Sequence, residues 1–114
     1  MHEKRILHRN NLFYYLKVFE MNTNTLLGHL VDITSEGMML ISEQPIPTGV
    51  VYDLRLEFPK NIFGVEILDF SAHSLWTRPD TNPELHDTGF QLIDVPFEHI
   101  LLIKRLVSEF GFIS

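Results

Sequence analysis

The chain has no cysteine in its 114 residues. This absence excludes disulfide bonds, thiol catalysis and cysteine-ligated metal sites, and it is typical of a cytoplasmic protein. No apolar run approaches the roughly 20 residues that a membrane-spanning helix needs. The basic start MHEKR is not followed by an apolar segment, so we expect no signal peptide. With 45% hydrophobic residues, the composition nevertheless predicts one folded domain with a substantial core.

Signatures of catalysis and of metal binding are also missing. The glycines form neither a P-loop nor the G-x-S-x-G elbow of serine hydrolases. The histidines show no H-x-H or H-x-x-x-H pair, so their spacing predicts no metal site. They are His2, His8, His29, His73, His86 and His99. We therefore expect a protein that is not an enzyme and that carries no metal and no cofactor.

Charge is unevenly distributed along the chain. The formal net charge is −6, which argues against nonspecific binding to nucleic acid or insertion into a membrane. Residues 1–10, however, contain three basic residues and one acidic residue. The remaining 6 basic and 14 acidic residues lie in the rest of the chain. A flexible basic arm over residues 1–10 is therefore expected to precede an acidic body over residues 11–114. A solvated tail is the alternative interpretation of the arm.

The apolar pattern of the body predicts six strands followed by one helix. Strand-like alternation or β-branched and aromatic enrichment covers residues 12–20, 26–34, 38–42, 50–58, 65–76 and 88–95. The fifth segment is long and is expected to be bent or bulged. Connections this short require mostly antiparallel pairing, which favours a barrel or a sandwich.

The C-terminal segment has helical periodicity. Asp94 and Pro96 are start signals and Gly111 is a stop signal, which predicts a helix over about residues 96–110. Leu102 falls near the polar face and is predicted to be exposed. The predicted buried face comprises Phe97, Ile100, Ile103, Val107 and Phe110.

The segment DITSEG, residues 32–37, interrupts the apolar pattern where the second strand ends. Asp32 and Thr34 are two residues apart, so in extended chain they point to the same side. Gly37 can adopt a positive φ and allows close approach to the backbone. A carboxylate beside a hydroxyl suits the two adjacent N–H donors of a guanine edge. An Asx or ST turn, in which both side chains bond their own backbone, is the alternative interpretation.

The basic arm contains the segment RILHR, residues 5–9. Arg5 and Arg9 are four residues apart, and Lys4 is adjacent to the first of them. Arginine binds phosphate in a bidentate manner and also stacks on purines. These residues are suited to a ligand that carries both phosphates and purine bases.

Together the two motifs resemble those of the PilZ domain family, the bacterial receptors for cyclic di-GMP (c-di-GMP). The family pattern is an N-terminal RxxxR followed by [D/N]xSxxG, and here Thr34 stands where the family usually has serine. The end of the fifth strand at Trp76, then Gly89 and Phe90, then the terminal helix, are also similar to the family. This resemblance implies an all-β fold with a terminal helix, a six-stranded antiparallel β-barrel plus a C-terminal α-helix.

The resemblance also implies roles for single residues. Arg5 and Arg9 would hold phosphates and stack on guanine, Asp32 would accept guanine N–H groups, and Lys4 could add a phosphate contact. Thr34 would bond the ligand in place of serine, and its extra methyl group could weaken that binding. Gly37 would keep the turn open. Trp76 is assigned to the core or rim and not to the ligand.

The implied function is that of a stand-alone c-di-GMP receptor, since only Met1 to Lys4 precede the RxxxR motif. Nucleotide binding would change the surface of the protein and regulate an unidentified protein partner, for example in motility, pilus or polysaccharide machinery. The alternative is a PilZ-like adaptor that binds proteins and no nucleotide. A barrel for oligonucleotides is disfavoured by the acidic body.

Overall fold

The structure, a computed structural model, describes residues 16–57 and 67–110, with side chains up to residue 105. This part of the chain forms six strands and one helix. They are β1 (Leu16–Glu20), β2 (Thr25–Ile33), β3 (Met38–Ser42), β4 (Val51–Glu57), β5 (Ile67–Pro79), β6 (His86–Ile93) and α1 (Phe97–Phe110).

The strands form a closed barrel in the order β1-β2-β3-β6-β5-β4. Every pairing is antiparallel, and β1 closes the barrel by pairing with both β2 and β4. The connection from β3 to β4 crosses to the far side, so β6 lies between β3 and β5. The fold is therefore the six-stranded antiparallel barrel with a C-terminal helix that the sequence predicts.

The hairpin of β5 and β6 is longer than the sequence predicts. Strand β5 continues to Pro79, whereas the predicted strand ends at Trp76. The extra residues pair with β6, with Thr77 opposite Thr88 and Arg78 opposite Asp87. Ladder hydrogen bonds formed with β6 hold these polar residues in extended conformation, which their composition does not signal. The register shifts between Ser74 and Trp76, so the predicted bulge in the fifth strand is confirmed.

The barrel is filled by alternating residues of all six strands, which face inward because side chains of a strand alternate between its two sides. Among the fully buried residues are Val18, Leu30, Leu40, Leu54 and Leu56, each with 0% exposure. Ile100 and Ile103 of helix α1 join the same cluster, so the helix covers the barrel with one face.

The predicted buried face of the helix is wrong at its first residue. Phe97 is 61% exposed, whereas Ile100 and Ile103 are buried. Leu102, predicted to be exposed, is half-buried against the core, so the buried face is centred near Ile103. Phe97 and Leu101 lie roughly 120° and 160° around the helix axis from Ile103, which turns both towards solvent.

Several predictions concern residues or side chains that the structure does not describe. The basic arm over residues 1–10, with Lys4, Arg5 and Arg9, lies outside the described residues. The same is true of Gly111 and of the side chains of Val107 and Phe110.

Candidate functional site

An open groove runs across the outer surface of four neighbouring strands, and Asp32, Thr34 and Gly37 line it together. Its volume is about 360 Å³, at the small end of the range of roughly 300–1,000 Å³ that small-molecule sites occupy. The barrel therefore brings the three residues of the DITSEG motif to one concave surface. The other lining residues are Glu36, Met38, Met39, Leu75, Trp76, Gly89 and Phe90.

The floor of the groove is one cross-strand row. Asp32 is opposite Met39, Met39 is opposite Gly89, and Gly89 is opposite Trp76. Facing residues in adjacent strands have their Cβ atoms only about 5 Å apart. The row therefore carries a carboxylate at one end, an aromatic ring at the other and apolar surface between them.

Trp76 lies flat on Gly89. A Cβ atom built on Gly89 would collide with the Cε2, Cζ2 and Nε1 atoms of the indole, so only glycine provides space for the ring at this position. The indole remains 41% exposed. The guanidinium carbon of Arg78 lies 4.9 Å from the centre of a Trp76 ring, which is a cation–π distance. The sequence interpretation of Trp76 as core or rim missed its position in the groove.

The turn between β2 and β3 is closed by Thr34. Its backbone N–H donates to the Gly37 carbonyl at 2.7 Å, and its Oγ1 accepts the Glu36 N–H at 3.2 Å. The hydroxyl also approaches the Gly37 carbonyl at 3.4 Å. The ST-turn interpretation of this residue is therefore confirmed, and a residue that lines the groove also stabilises the turn.

Asp32 is exposed at the end of β2, immediately after a register shift at Val31. Its Oδ1 accepts the Ile33 N–H at 2.9 Å. Among residues 16–57 and 67–105, no donor engages its second carboxylate oxygen, which is available to a ligand. The bulge matters because it places Asp32, and not Val31, on the outer side of the barrel opposite Met39.

Gly37 is needed for a reason other than the one the sequence suggests. Its φ is not positive; in the described residues the positive-φ glycine is Gly49. A Cβ atom on Gly37 would run into the carbonyl oxygen of Phe90 on β6. Gly37 therefore does not use the positive φ that glycine allows, and the close approach that requires glycine is made by the neighbouring strand.

A second row, parallel to the first, borders the groove. Lys17 is opposite His29, His29 is opposite Ile41, Ile41 is opposite Asp87, and Asp87 is opposite Arg78. The Nε atom of Arg78 lies 3.8 Å from Asp87 Oδ2, and its side chain is 63% exposed. The row thus has an exposed cation at each end. Arg78 lies against Trp76, whereas Lys17 is on β1, outside the four strands of the groove.

His29 is buried in this second row. Burial lowers the pKa of its imidazole below the ordinary value of 6.5, and the positive charge of Lys17 acts in the same direction. The negative charge of Glu43 opposes both effects. His29 is therefore expected to be neutral at pH 7, so Lys17 and Arg78 carry the positive charge of the row.

The described residues hold no group of three or more His, Cys, Asp or Glu side chains that could bind a metal ion. In the same part of the chain, no helix is long and apolar enough to cross a bilayer.

Sequence reasoning missed Trp76, Arg78 and Glu36 as residues of the site. One signal for Trp76 was present: a glycine in the middle of the last strand marks close approach by another group. Nothing in the sequence pairs Gly89 with Trp76, since their register depends on the bulge in β5.

No protein-family model and no curated protein matches the sequence. Among solved structures, the fold is similar to that of PlzA from Borreliella burgdorferi, crystallised in complex with c-di-GMP. The TM-score is 0.52 at 12% sequence identity, and the match covers 89% of this chain. It covers 48% of PlzA, so this chain spans about half the length of that protein.

The similarity to PlzA establishes the fold of this chain. The closed barrel with its C-terminal helix therefore has a PilZ-like fold.

Proposed function

We propose that this chain is a receptor for c-di-GMP and not an enzyme. The nucleotide lies in the outer groove of the barrel, with its bases on the apolar floor and its phosphates towards the bordering cations. The PilZ-like fold and the c-di-GMP bound to PlzA support this assignment.

The observation that carries the proposal is the cross-strand row from Asp32 to Trp76. A nucleobase offers a flat apolar face and a polar edge, and the row offers an exposed indole and an exposed carboxylate in one groove. Stacking of a base on an aromatic side chain contributes roughly 1–3 kcal/mol. Asp32 accepts the N–H groups of a guanine edge through its available oxygen.

Charge in the proposed site comes from two sources. Arg78 lies against Trp76, so it can follow a stacked base and contact a phosphate. Arg5 and Arg9 of the basic arm, with Lys4, bind the remaining phosphate oxygens and stack on guanine, as the resemblance to PilZ domains implies. Arginine suits both tasks because its guanidinium is planar and donates in pairs.

The turn residues have supporting roles. Thr34 lines the groove while its hydroxyl accepts the Glu36 N–H, so a ligand contact adds to an existing hydrogen bond. Gly37 keeps the turn pressed against β6, because any side chain there would collide with the Phe90 carbonyl.

Titration calorimetry tests the proposal. We expect wild type to bind c-di-GMP and the variants Asp32→Ala, Arg9→Ala and Trp76→Ala to bind at least tenfold more weakly. Glu84→Ala is the control, since this exposed residue lies in the loop between β5 and β6, outside the groove. Absence of heat in wild type, or equal affinity in all five proteins, contradicts the proposal.

A protein adaptor without nucleotide binding is the second candidate function. It is favoured by one observation: Phe97 and Leu101, one helical turn apart, are 61% and 50% exposed. Such an apolar pair on an outer helix face suits contact with another protein. The same pair is the surface through which a nucleotide-bound receptor would regulate a partner.

Thermal unfolding separates the two candidates. A ligand that binds only the folded state raises the unfolding midpoint. The receptor proposal expects the midpoint to rise with c-di-GMP concentration, whereas the adaptor proposal expects it to stay constant.

A further inference from the structure

Glu36 provides a second carboxylate in the groove. It lines the same surface as Asp32 and Thr34, and it is exposed. Among the described residues no cation pairs with it; the ion pairs there are Arg55–Asp69 and Arg78–Asp87. Its position in the motif is the variable one before the glycine, so the resemblance to PilZ domains assigns it no role.

The turn between β2 and β3 fixes the position of the Glu36 backbone. Its N–H donates to Thr34 Oγ1 at 3.2 Å, and the next residue, Gly37, accepts the Thr34 N–H at 2.7 Å. Gly37 is in turn pressed against the Phe90 carbonyl. With its backbone held from both sides, Glu36 lines the end of the groove formed by the turn, and its side chain is exposed.

Asp32 alone satisfies only one base. The Watson–Crick edge of guanine has two adjacent N–H donors, and one carboxylate accepts both. Asp32 already accepts the Ile33 N–H through Oδ1, which leaves it no capacity for a second guanine. A cyclic dinucleotide with two guanines therefore brings one more polar edge than Asp32 can accept.

We propose that Glu36 accepts the N–H groups of the second guanine, so that the groove reads both bases of the ligand. This inference rests on the proposed c-di-GMP function. It assigns one carboxylate to each guanine, Asp32 to the first and Glu36 to the second. It makes Glu36 a specificity-determining residue that distinguishes c-di-GMP from a cyclic dinucleotide with a single guanine.

The charge of the ligand determines whether removal of the Glu36 charge should strengthen or weaken binding. The ligand carries two negative phosphates, so a carboxylate that makes no contact repels it, and removal of that charge strengthens binding. A carboxylate that accepts guanine N–H groups has the opposite effect. A bidentate contact to a base edge discriminates by roughly 1–3 kcal/mol, which corresponds to roughly 5- to 150-fold in affinity, and about tenfold is taken as the expected effect.

Two ligands and three proteins provide the test. Calorimetry measures the affinity of wild type, Glu36→Gln and Glu57→Gln for c-di-GMP and for 3′,3′-cyclic GMP–AMP. Glu57→Gln removes the same charge from an exposed residue that pairs with Ile67, at the opposite end of β5 from Trp76. Wild type is expected to prefer c-di-GMP by about tenfold.

In Glu36→Gln this preference disappears. Affinity for c-di-GMP falls about tenfold, and affinity for the mixed dinucleotide is unchanged or higher, because a glutamine amide matches the donor and acceptor of an adenine edge. Glu57→Gln behaves as wild type.

Three results overturn the inference. If Glu36→Gln binds c-di-GMP as tightly as wild type, or more tightly, Glu36 makes no contact with the ligand. If it weakens both ligands equally, Glu36 does not distinguish the second base. If wild type binds neither ligand, the proposed function itself fails, and the specificity of Glu36 fails with it.

Discussion

Replacement of Gly89 by alanine is expected to displace Trp76 from the barrel. The new Cβ would occupy the position of the indole atoms that now lie on Gly89. Both residues belong to paired strands, so the backbone is held by its ladder hydrogen bonds and the side chain must move instead.

The size of the effect follows from the burial of the indole. Trp76 is 41% exposed, so of a side-chain surface of roughly 200 Å² about 120 Å² is covered. Exposing all of it costs about 3 kcal/mol at 25 cal/mol per Å². Alanine also restricts the unfolded chain more than glycine does, which raises the free energy of unfolding by about 0.5–1 kcal/mol. We therefore expect the free energy of unfolding to fall by about 2 kcal/mol.

A double-mutant cycle isolates the contact. Urea unfolding, followed by far-ultraviolet circular dichroism, compares wild type, Gly89→Ala, Trp76→Ala and the double variant. Without the indole the alanine meets no ring, so in the Trp76→Ala background Gly89→Ala should no longer destabilise and should stabilise by up to about 1 kcal/mol. A loss of about 2 kcal/mol in both backgrounds would refute the reasoning, because the cost would then lie in the strand backbone.

Four further predictions concern pH and packing. Burial holds the pKa of His29 below 6.5. The stability that neutral His29 contributes is therefore complete above pH 6.5 and is lost as the pH falls. His29→Gln should reduce the fall of the unfolding midpoint between about pH 7 and pH 5. The hydrogen bond from Arg55 lowers the pKa of Asp69 below 3.8. Asp69→Asn should therefore lower the midpoint slightly at pH 7, and the difference from wild type should narrow as the pH falls and Asp69 becomes protonated. Leu54→Ala should destabilise the barrel by about 2–5 kcal/mol in urea titrations, since Leu54 is fully buried. Phe97→Ala, at a side chain that is 61% exposed, should stay within about 0.5 kcal/mol of wild type, and a larger loss would place Phe97 in the core.

The architecture was predictable because the strands alternate clearly. In β4 the inward residues Leu54 and Leu56 are separated by Arg55, and the structure buries the two leucines completely. The short connections required antiparallel pairing, and the terminal helix showed a 3.6-residue period. Closure into a barrel, and the placement of β6 between β3 and β5, depend on long-range pairing that periodicity does not encode.

The site was predictable only in part. Asp32, Thr34 and Gly37 are adjacent in sequence, so their common position in the groove could be inferred from the motif. The partners of Asp32 on other strands could not be inferred, because two register shifts, at Val31 and Leu75, decide which residues are opposite each other. A bulge adds one residue and exchanges the sides of the strand, and local sequence gives no measure of it.

The role of Gly37 and the orientation of α1 could not be predicted from local sequence either. Gly37 can adopt a positive φ but does not, and glycine is needed there because β6 passes too close for a side chain. Phe97 fits the helical period, yet the helix packs through a face centred near Ile103, which leaves the first turn exposed. In both cases tertiary contact, and not the residue's own propensity, determines the outcome.

The most direct test of the central claim is an NMR titration of the labelled protein with c-di-GMP. The chain has a single tryptophan, so its indole N–H gives one resolved signal from the floor of the groove. The account predicts that this signal and the amides of residues 32–37 shift together and saturate at one ligand concentration. Shifts confined to the opposite side of the barrel, around Asp53 and Asp69, or no shifts at all, would contradict it.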